Sequence, residues 1–195
     1  MDFDGEQVFA KDGSASISLK DIGNRAMANN GKALEVTESH SSPVSPPPFM
    51  VGMAEIEMDQ ETCDFELVNY VAVVDCGTPI NPAIARVQTE GGLGQGIGMA
   101  MFEDVTRSEN GQVYENSFMQ YKLPTRVDVG NIRVEFESSY EPTGPFGAKS
   151  IGEIVINTPA PALAHAVYNA TGLWFRELPI TSEQIAMGIA EKECE

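Results

Sequence analysis

Cysteine is scarce in this sequence. Cys63, Cys76 and Cys194 are an odd number with no Cys-x-x-Cys spacing, which indicates neither a disulfide framework nor a zinc or iron–sulfur site. A reducing, cytoplasmic setting is the expectation. Basic residues are also few: 12 stand against 29 acidic ones, for a formal charge of −17. That balance repels phosphate and argues against nucleic-acid or anionic-membrane partners, and solubility is sufficient reason for it. No basic-plus-apolar leader opens the sequence and no apolar run approaches ~18 residues, so neither a signal peptide nor a membrane span is expected. No internal repeat is visible. What the sequence does have is 195 residues, 42% of them apolar, enough for the packed core of one domain covering 1–195.

Strand and helix signals alternate along the chain. Residues 7–19 predict a hairpin around Asp12-Gly13, and Ser18 with Asp21 caps a short helix through Ile22, Ala26 and Met27. Residues 33–38 predict a strand. Pro43, Pro46, Pro47 and Pro48 then impose an extended connector, so that 1–48 reads as an N-terminal portion and 49–195 as the main core. Two long alternating strands follow over 49–58 and 65–74. Asn81-Pro82 supplies an N-cap and a first-turn proline for a helix reaching about Phe102. Ser108-Glu-Asn-Gly111 predicts a turn and 132–136 a strand. Thr158-Pro159 opens a helix with Leu163, Ala166, Val167 and Ala170 on one face, which Gly172 stops. Residues 173–178 predict a strand, and Thr181 with Gln184 forms a capping box for a last helix. The pattern implies an α+β fold, with helices packed on one face of a mainly antiparallel sheet.

Two stretches break local rules, as functional sites do. The first is Gln88-Thr-Glu-Gly-Gly-Leu-Gly-Gln-Gly-Ile-Gly98, inside the predicted helix. Its glycines at 91, 92, 94, 96 and 98 each cost a helix interior ~1 kcal/mol relative to alanine. Close helix-to-sheet packing explains them almost as well as a ligand lying against the helix, with Gln88 and Gln95 two turns apart on one face. The dinucleotide pattern G-x-G-x-x-G is not met, because Met99 stands where its third glycine belongs. The second stretch is Gly144-Pro-Phe-Gly-Ala-Lys-Ser-Ile-Gly-Glu153, where Gly144, Gly147 and Gly152 leave peptide N–H groups accessible. Glu153 precedes the apolar Ile154-Val-Ile156. Partial desolvation there would raise its pKa and suit it to accept a proton. On these residues alone, a helix-start glutamate stabilised by the macrodipole is the preferred explanation.

Four ordered motifs change that balance: Val74-Asp-Cys-Gly-Thr-Pro-Ile-Asn-Pro82, the Gln88 to Gly98 run, Gly147-Ala-Lys-Ser-Ile-Gly-Glu153, and Arg176-Glu-Leu-Pro-Ile-Thr181. Together, over at least 49–185, they resemble the C-terminal part of the molybdenum-binding subunit of the xanthine dehydrogenase/aldehyde oxidase family. The resemblance implies a molybdopterin-binding domain and the hydroxylation of an aldehyde or N-heterocycle with oxygen from water. It implies that Glu153 is the general base, which deprotonates the attacking oxygen at a molybdenum it does not ligate. Gln88 and Gln95, with Gly91 and Gly92, match the residues beside the pterin cofactor's phosphate-bearing tail. Gly147, Ala148 and Lys149 are expected to line the approach to the metal.

The same resemblance implies partners. The family's molybdenum subunit is several times longer, its first cofactor-binding loops lie upstream of the matching region, and its iron–sulfur and flavin (FAD) groups sit on other domains or subunits. The chain is thus expected to be a fragment, inactive alone, that acts with the rest of the subunit on a small-molecule substrate. Surfaces left open at 91–98 and around Pro145-Phe146 are expected to promote self-association. The competing expectation is a stand-alone acidic α+β binding module without catalysis. Gly92→Leu or Gly94→Leu is expected to lower cofactor content.

Overall fold

The computed structural model describes residues 1–39 and 41–194. They form two compact units, Met1–Ser41 and Ser42–Glu195, so the division falls ahead of the proline-rich connector. In the first unit, β1 (Asp2–Phe3), β2 (Gln7–Phe9) and β3 (Ser16–Ser18) make an antiparallel meander. The turn at Asp12-Gly13 is held by Asp12 Oδ1, which accepts from the Ser14 N–H at 3.0 Å. Helix α1 (Leu19–Asn30) starts at Ser18, whose side chain accepts from the Asp21 N–H at 3.1 Å. The strand expected over 33–38 does not form. Leu34 and Val36 are exposed there, and an extended segment without a ladder partner has nothing to pair its backbone.

The second unit is built on a sheet of order β4-β5-β6, with β4 at Phe49–Met58, β5 at Phe65–Asp75 and β6 at Asn131–Phe136. Strands β4 and β5 are antiparallel; β6 pairs with β5 in parallel. Antiparallel pairing dominates as expected, and the parallel strand follows from connectivity. Helix α2 (Pro82–Met101) is the crossover that a parallel pair requires. Register shifts between Glu55 and Ile56, which face Asn69 and Leu67, so Val68 is the extra residue of a bulge. The bulge moves the inward face of β5 from Leu67 to Tyr70, Ala72 and Val74, all buried.

Helices α2 and α3 (Pro159–Thr171) close the core. Leu93, Ile97, Ala100 and Leu163 pack on Leu67, Tyr70, Ala72, Val74 and Val134. Gly52 makes room for the Tyr70 ring, because a Cβ there would lie 2.0 Å from the Tyr70 hydroxyl. That hydroxyl donates to Thr158 Oγ1 at 2.9 Å, and burial pushes the phenol pKa up. The turn at Ser108–Gly111 forms as expected, with the Gly111 N–H donating to the Ser108 carbonyl at 2.9 Å.

The strand expected over 173–178 is absent. Its alternation serves packing instead: Phe175 joins Cys63, Val167, Ile180 and Ile185 in a second apolar cluster. Trp174 turns the other way and stacks on Tyr168 with ring centroids 4.4 Å apart. Helix α4 (Ser182–Glu193) begins with the full capping box of Thr181 and Gln184. Thr181→Ala therefore lowers unfolding free energy by about 1 kcal/mol in thermal or urea denaturation. Among the described residues, no helix is long and apolar enough to cross a membrane.

Candidate functional site

The glycines of α2 divide into two sets. Gly92 and Gly96 face the protein: a Cβ at Gly92 would lie 2.1 Å from Val155 Cγ2, and one at Gly96 would lie 2.6 Å from Pro159 Cγ and 2.9 Å from the Ile156 carbonyl. Gly98 is closed by Glu103 and Pro124. Close packing, the plainer explanation of these three, is correct for them. Gly91 and Gly94 have no heavy atom within 4 Å of an added Cβ. The open face expected along the whole run is therefore confined to part of it, whereas Phe146 is exposed as anticipated.

On the open side lies a groove of about 330 Å3, lined by Val87, Gln88, Gly91, Gly92, Gln95, Gly152, Glu153 and Ile156. Two turns of helix bring Gln88 and Gln95 to the same groove. The Gln88 Nε2 donates to the Gly152 carbonyl at 3.1 Å, joining α2 to the loop that carries Glu153. Gln95 is exposed, and its carboxamide makes no hydrogen bond among the described residues.

Glu153 is exposed rather than desolvated. The partial desolvation expected of it is therefore not present in this chain. It precedes a 3-10 turn of only three residues, Ile154–Ile156, and its side chain makes no capping hydrogen bond. A helix-start role has little to act on.

Ala148 and Lys149 border an adjoining, largely apolar groove of about 410 Å3 that shares Gln88 and Gly152 with the first. Gly147 is buried, and its role is conformational. Its φ of +83° suits glycine, and a Cβ would stand 2.3 Å from Tyr140 Cδ2. Its carbonyl accepts from the N–H of Thr78 at 2.8 Å and of Glu141 at 3.0 Å. Lys149 is not a free cation. Its Nζ lies 2.6 Å from Asp75 Oδ2, with the two side chains 10% and 21% exposed, and 5.4 Å from the centre of the Phe49 ring.

Asp75 is the residue that sequence reasoning passed over. Besides Lys149, its carboxylate accepts from Ser139 Oγ at 2.5 Å and from the Gly77 N–H at 3.0 Å. The hydrogen bond from Lys149, then that from Ser139, hold its pKa down to about 2 from 3.8. A lowered carboxylate pKa gives stability that is present above 3.8 and is lost as pH falls through about 2. In acid titrations, the stability advantage of the wild type over Asp75→Asn should shrink across that window, by an amount on the order of 2 kcal/mol. The available signals were an aspartate at a strand end, two residues before a glycine, and one lysine within a glycine-rich loop.

Among the described residues there is no group of three or more His, Cys, Asp or Glu able to hold a metal ion. Residues 1–130 match the family described as a molybdopterin cofactor-binding domain. The chain is 34% identical over 171 residues to the probable hypoxanthine oxidase of Escherichia coli strain K12, covering 87% of this chain and 18% of that protein. Quinoline 2-oxidoreductase from Pseudomonas putida 86 is similar at 34% identity and a TM-score of 0.66, covering 70% of this chain and 18% of the other. The Cu,Mo-CO dehydrogenase in its carbon monoxide reduced state aligns at 26% identity and a TM-score of 0.77, over 88% of this chain and 22% of that one. The chain thus spans about a fifth of the length of the proteins it matches.

Proposed function

The chain belongs to the family of molybdopterin cofactor-binding domains, and from that premise we propose that the α2 groove holds the pterin cofactor of a molybdenum hydroxylase, with Glu153 as its general base. The observation that carries the reading is the convergence of Gln88, Gly91, Gln95 and Glu153 on one groove from two distant segments.

The groove suits such a group. Gly91 leaves the helix surface bare where any side chain would intrude. Gln88 and Gln95 present neutral carboxamides that donate to phosphate and pterin heteroatoms and accept from them. A metal held within the cofactor itself would need no ligand set from this chain, and when bound the cofactor would supply two-electron redox chemistry at the substrate carbon.

The rest falls to this chain. The two glutamines orient the cofactor's tail along α2. The 152–153 backbone, tied to α2 through Gln88, sets where the Glu153 carboxylate projects. Glu153 accepts the proton from the water-derived oxygen as that oxygen attacks carbon. Covering the groove excludes water and raises the carboxylate's basicity. The substrate class is an N-heterocycle or an aldehyde, and two of the three relatives above are named for N-heterocycles. The rest of the molybdenum subunit, and separate iron–sulfur and flavin groups to drain electrons, complete the proposal. This 195-residue chain alone is expected to bind no stoichiometric molybdenum.

The test is cofactor content. Gln88→Ala and Gln95→Ala in the assembled enzyme each remove hydrogen bonds worth roughly 1–2 kcal/mol, weakening retention about tenfold. Full molybdopterin loading of the double variant after dilution and gel filtration would contradict the assignment.

A further inference from the structure

The Glu153 side chain is held by no hydrogen bond among the described residues, so its position depends on the backbone that delivers it. That backbone is 144–153, a loop with glycines at 144, 147 and 152. Ordering such a segment costs backbone entropy at every residue, and something must hold it in one conformation.

The contacts that do so gather at the end of β5. The Lys149 N–H donates to the Cys76 carbonyl at 2.7 Å, and the Thr78 N–H donates to the Gly147 carbonyl at 2.8 Å. Gly77 and Ala148 form an isolated antiparallel bridge. A Cβ on Gly77 would stand 2.3 Å from the Gly147 carbonyl, so the two backbones are in direct contact. Asp75 organises this junction. One oxygen takes the Gly77 N–H, shaping the exit from β5, and the Ser139 hydroxyl, tying in the segment after β6. The other takes the Lys149 ammonium at 2.6 Å. Three chain segments meet on one carboxylate. At the far end of the loop, Gln88 holds Gly152; Glu153 follows at once.

We propose that Asp75 is a positioning residue, which by holding Lys149 and the β5 exit together fixes the 147–153 loop and thereby the place of Glu153 across the groove. The inference rests on Glu153 being the base, because only then does the loop's position govern a rate. A displacement of about 1 Å at a reacting group lowers rates by up to ~10²-fold. A lysine at position 149 is then required for its tether to Asp75.

The experiment has two arms. In the assembled, molybdenum-loaded enzyme, Asp75→Asn and Lys149→Met should each lower kcat per molybdenum about tenfold or more, with KM and molybdenum content unchanged. Asp75→Asn with Lys149→Met should be no worse than Asp75→Asn alone, since the Lys149 tether is already broken in that variant. Lys149→Arg, which keeps the ion pair, should restore much of the rate. In the same proteins, amide hydrogen exchange at Thr78, Glu141 and Lys149 should quicken in Asp75→Asn about tenfold more than it does at Ala72, Val74 and Leu163, whose exchange changes only with global stability. Unchanged loop exchange, or a uniform rise through β5 and α3, overturns the proposal. So does wild-type kcat per molybdenum in Asp75→Asn. Wild-type turnover in Glu153→Gln overturns the reading of Glu153 instead, and the exchange arm then still decides whether Asp75 fixes the loop.

Discussion

Glu153→Gln should slow single-turnover reduction of molybdenum by substrate by about 10²- to 10⁴-fold, the range expected for loss of a general base. The amide keeps the shape of the carboxylate and can hydrogen-bond in the groove, but it cannot take the proton. Cofactor content should stay at the wild-type level, which separates a base-free enzyme from an empty one. If Glu153 merely began a helix, the same substitution would cost well under ~1 kcal/mol and leave the rate nearly unchanged. The three-residue turn that follows and the absence of any capping contact give that alternative little support. Exposure of the side chain in this chain does not weaken the role of base. On the proposed reading, desolvation would have to come from the bound cofactor and the rest of the subunit.

Gly96→Leu and Gly91→Leu should part company although they lie on one helix. At Gly96 a side chain meets Pro159 and the Ile156 carbonyl, and a carbonyl within a packed turn cannot swing aside as a flexible side chain can. Overpacking of this kind costs roughly 1–3 kcal/mol and sometimes more. Loss of that size shifts the thermal midpoint by several degrees or unfolds the domain. At Gly91 the added side chain enters open space, and replacing a helical glycine favours the helix by up to ~1 kcal/mol. Gly91→Leu should therefore leave the midpoint unchanged or raise it while lowering molybdopterin content. Gly92→Leu, which meets Val155, should lose cofactor only along with its fold. Gly94 lies outside the groove lining, so it discriminates less well than Gly91. A Gly91→Leu enzyme that is stable and fully loaded would count against the groove.

Elements with their own start and stop signals were legible in the sequence. Asn81-Pro82, Thr158-Pro159 with Gly172, and the Thr181/Gln184 box placed three helices to within a residue or two, because caps are local chemistry. The long strands β4 and β5 were equally plain from alternation. The segments 33–38 and 173–178 were not, because alternation reports two faces and not a ladder partner. In the second of these, the two faces are used by Phe175 and Trp174 without any sheet. Helical spacing put Gln88 and Gln95 together, and motif order joined them to Glu153. The sorting of the glycines, and the role of Asp75, depended on contacts such as Gly96 with Ile156 and Asp75 with Ser139. Those pairs are 60 or more residues apart, and nothing local encodes them.

The central claim is that the groove between α2 and the 152–156 turn is where the cofactor lies. An electron-density or cryo-electron-microscopy map of the assembled, molybdenum-loaded enzyme tests it most directly. The account predicts pterin or phosphate atoms within about 3 Å of the Gln88 and Gln95 carboxamides, with Gly91 against the cofactor and the Glu153 carboxylate beside the metal but not bonded to it. A groove filled by protein, with the pterin held elsewhere, would contradict it.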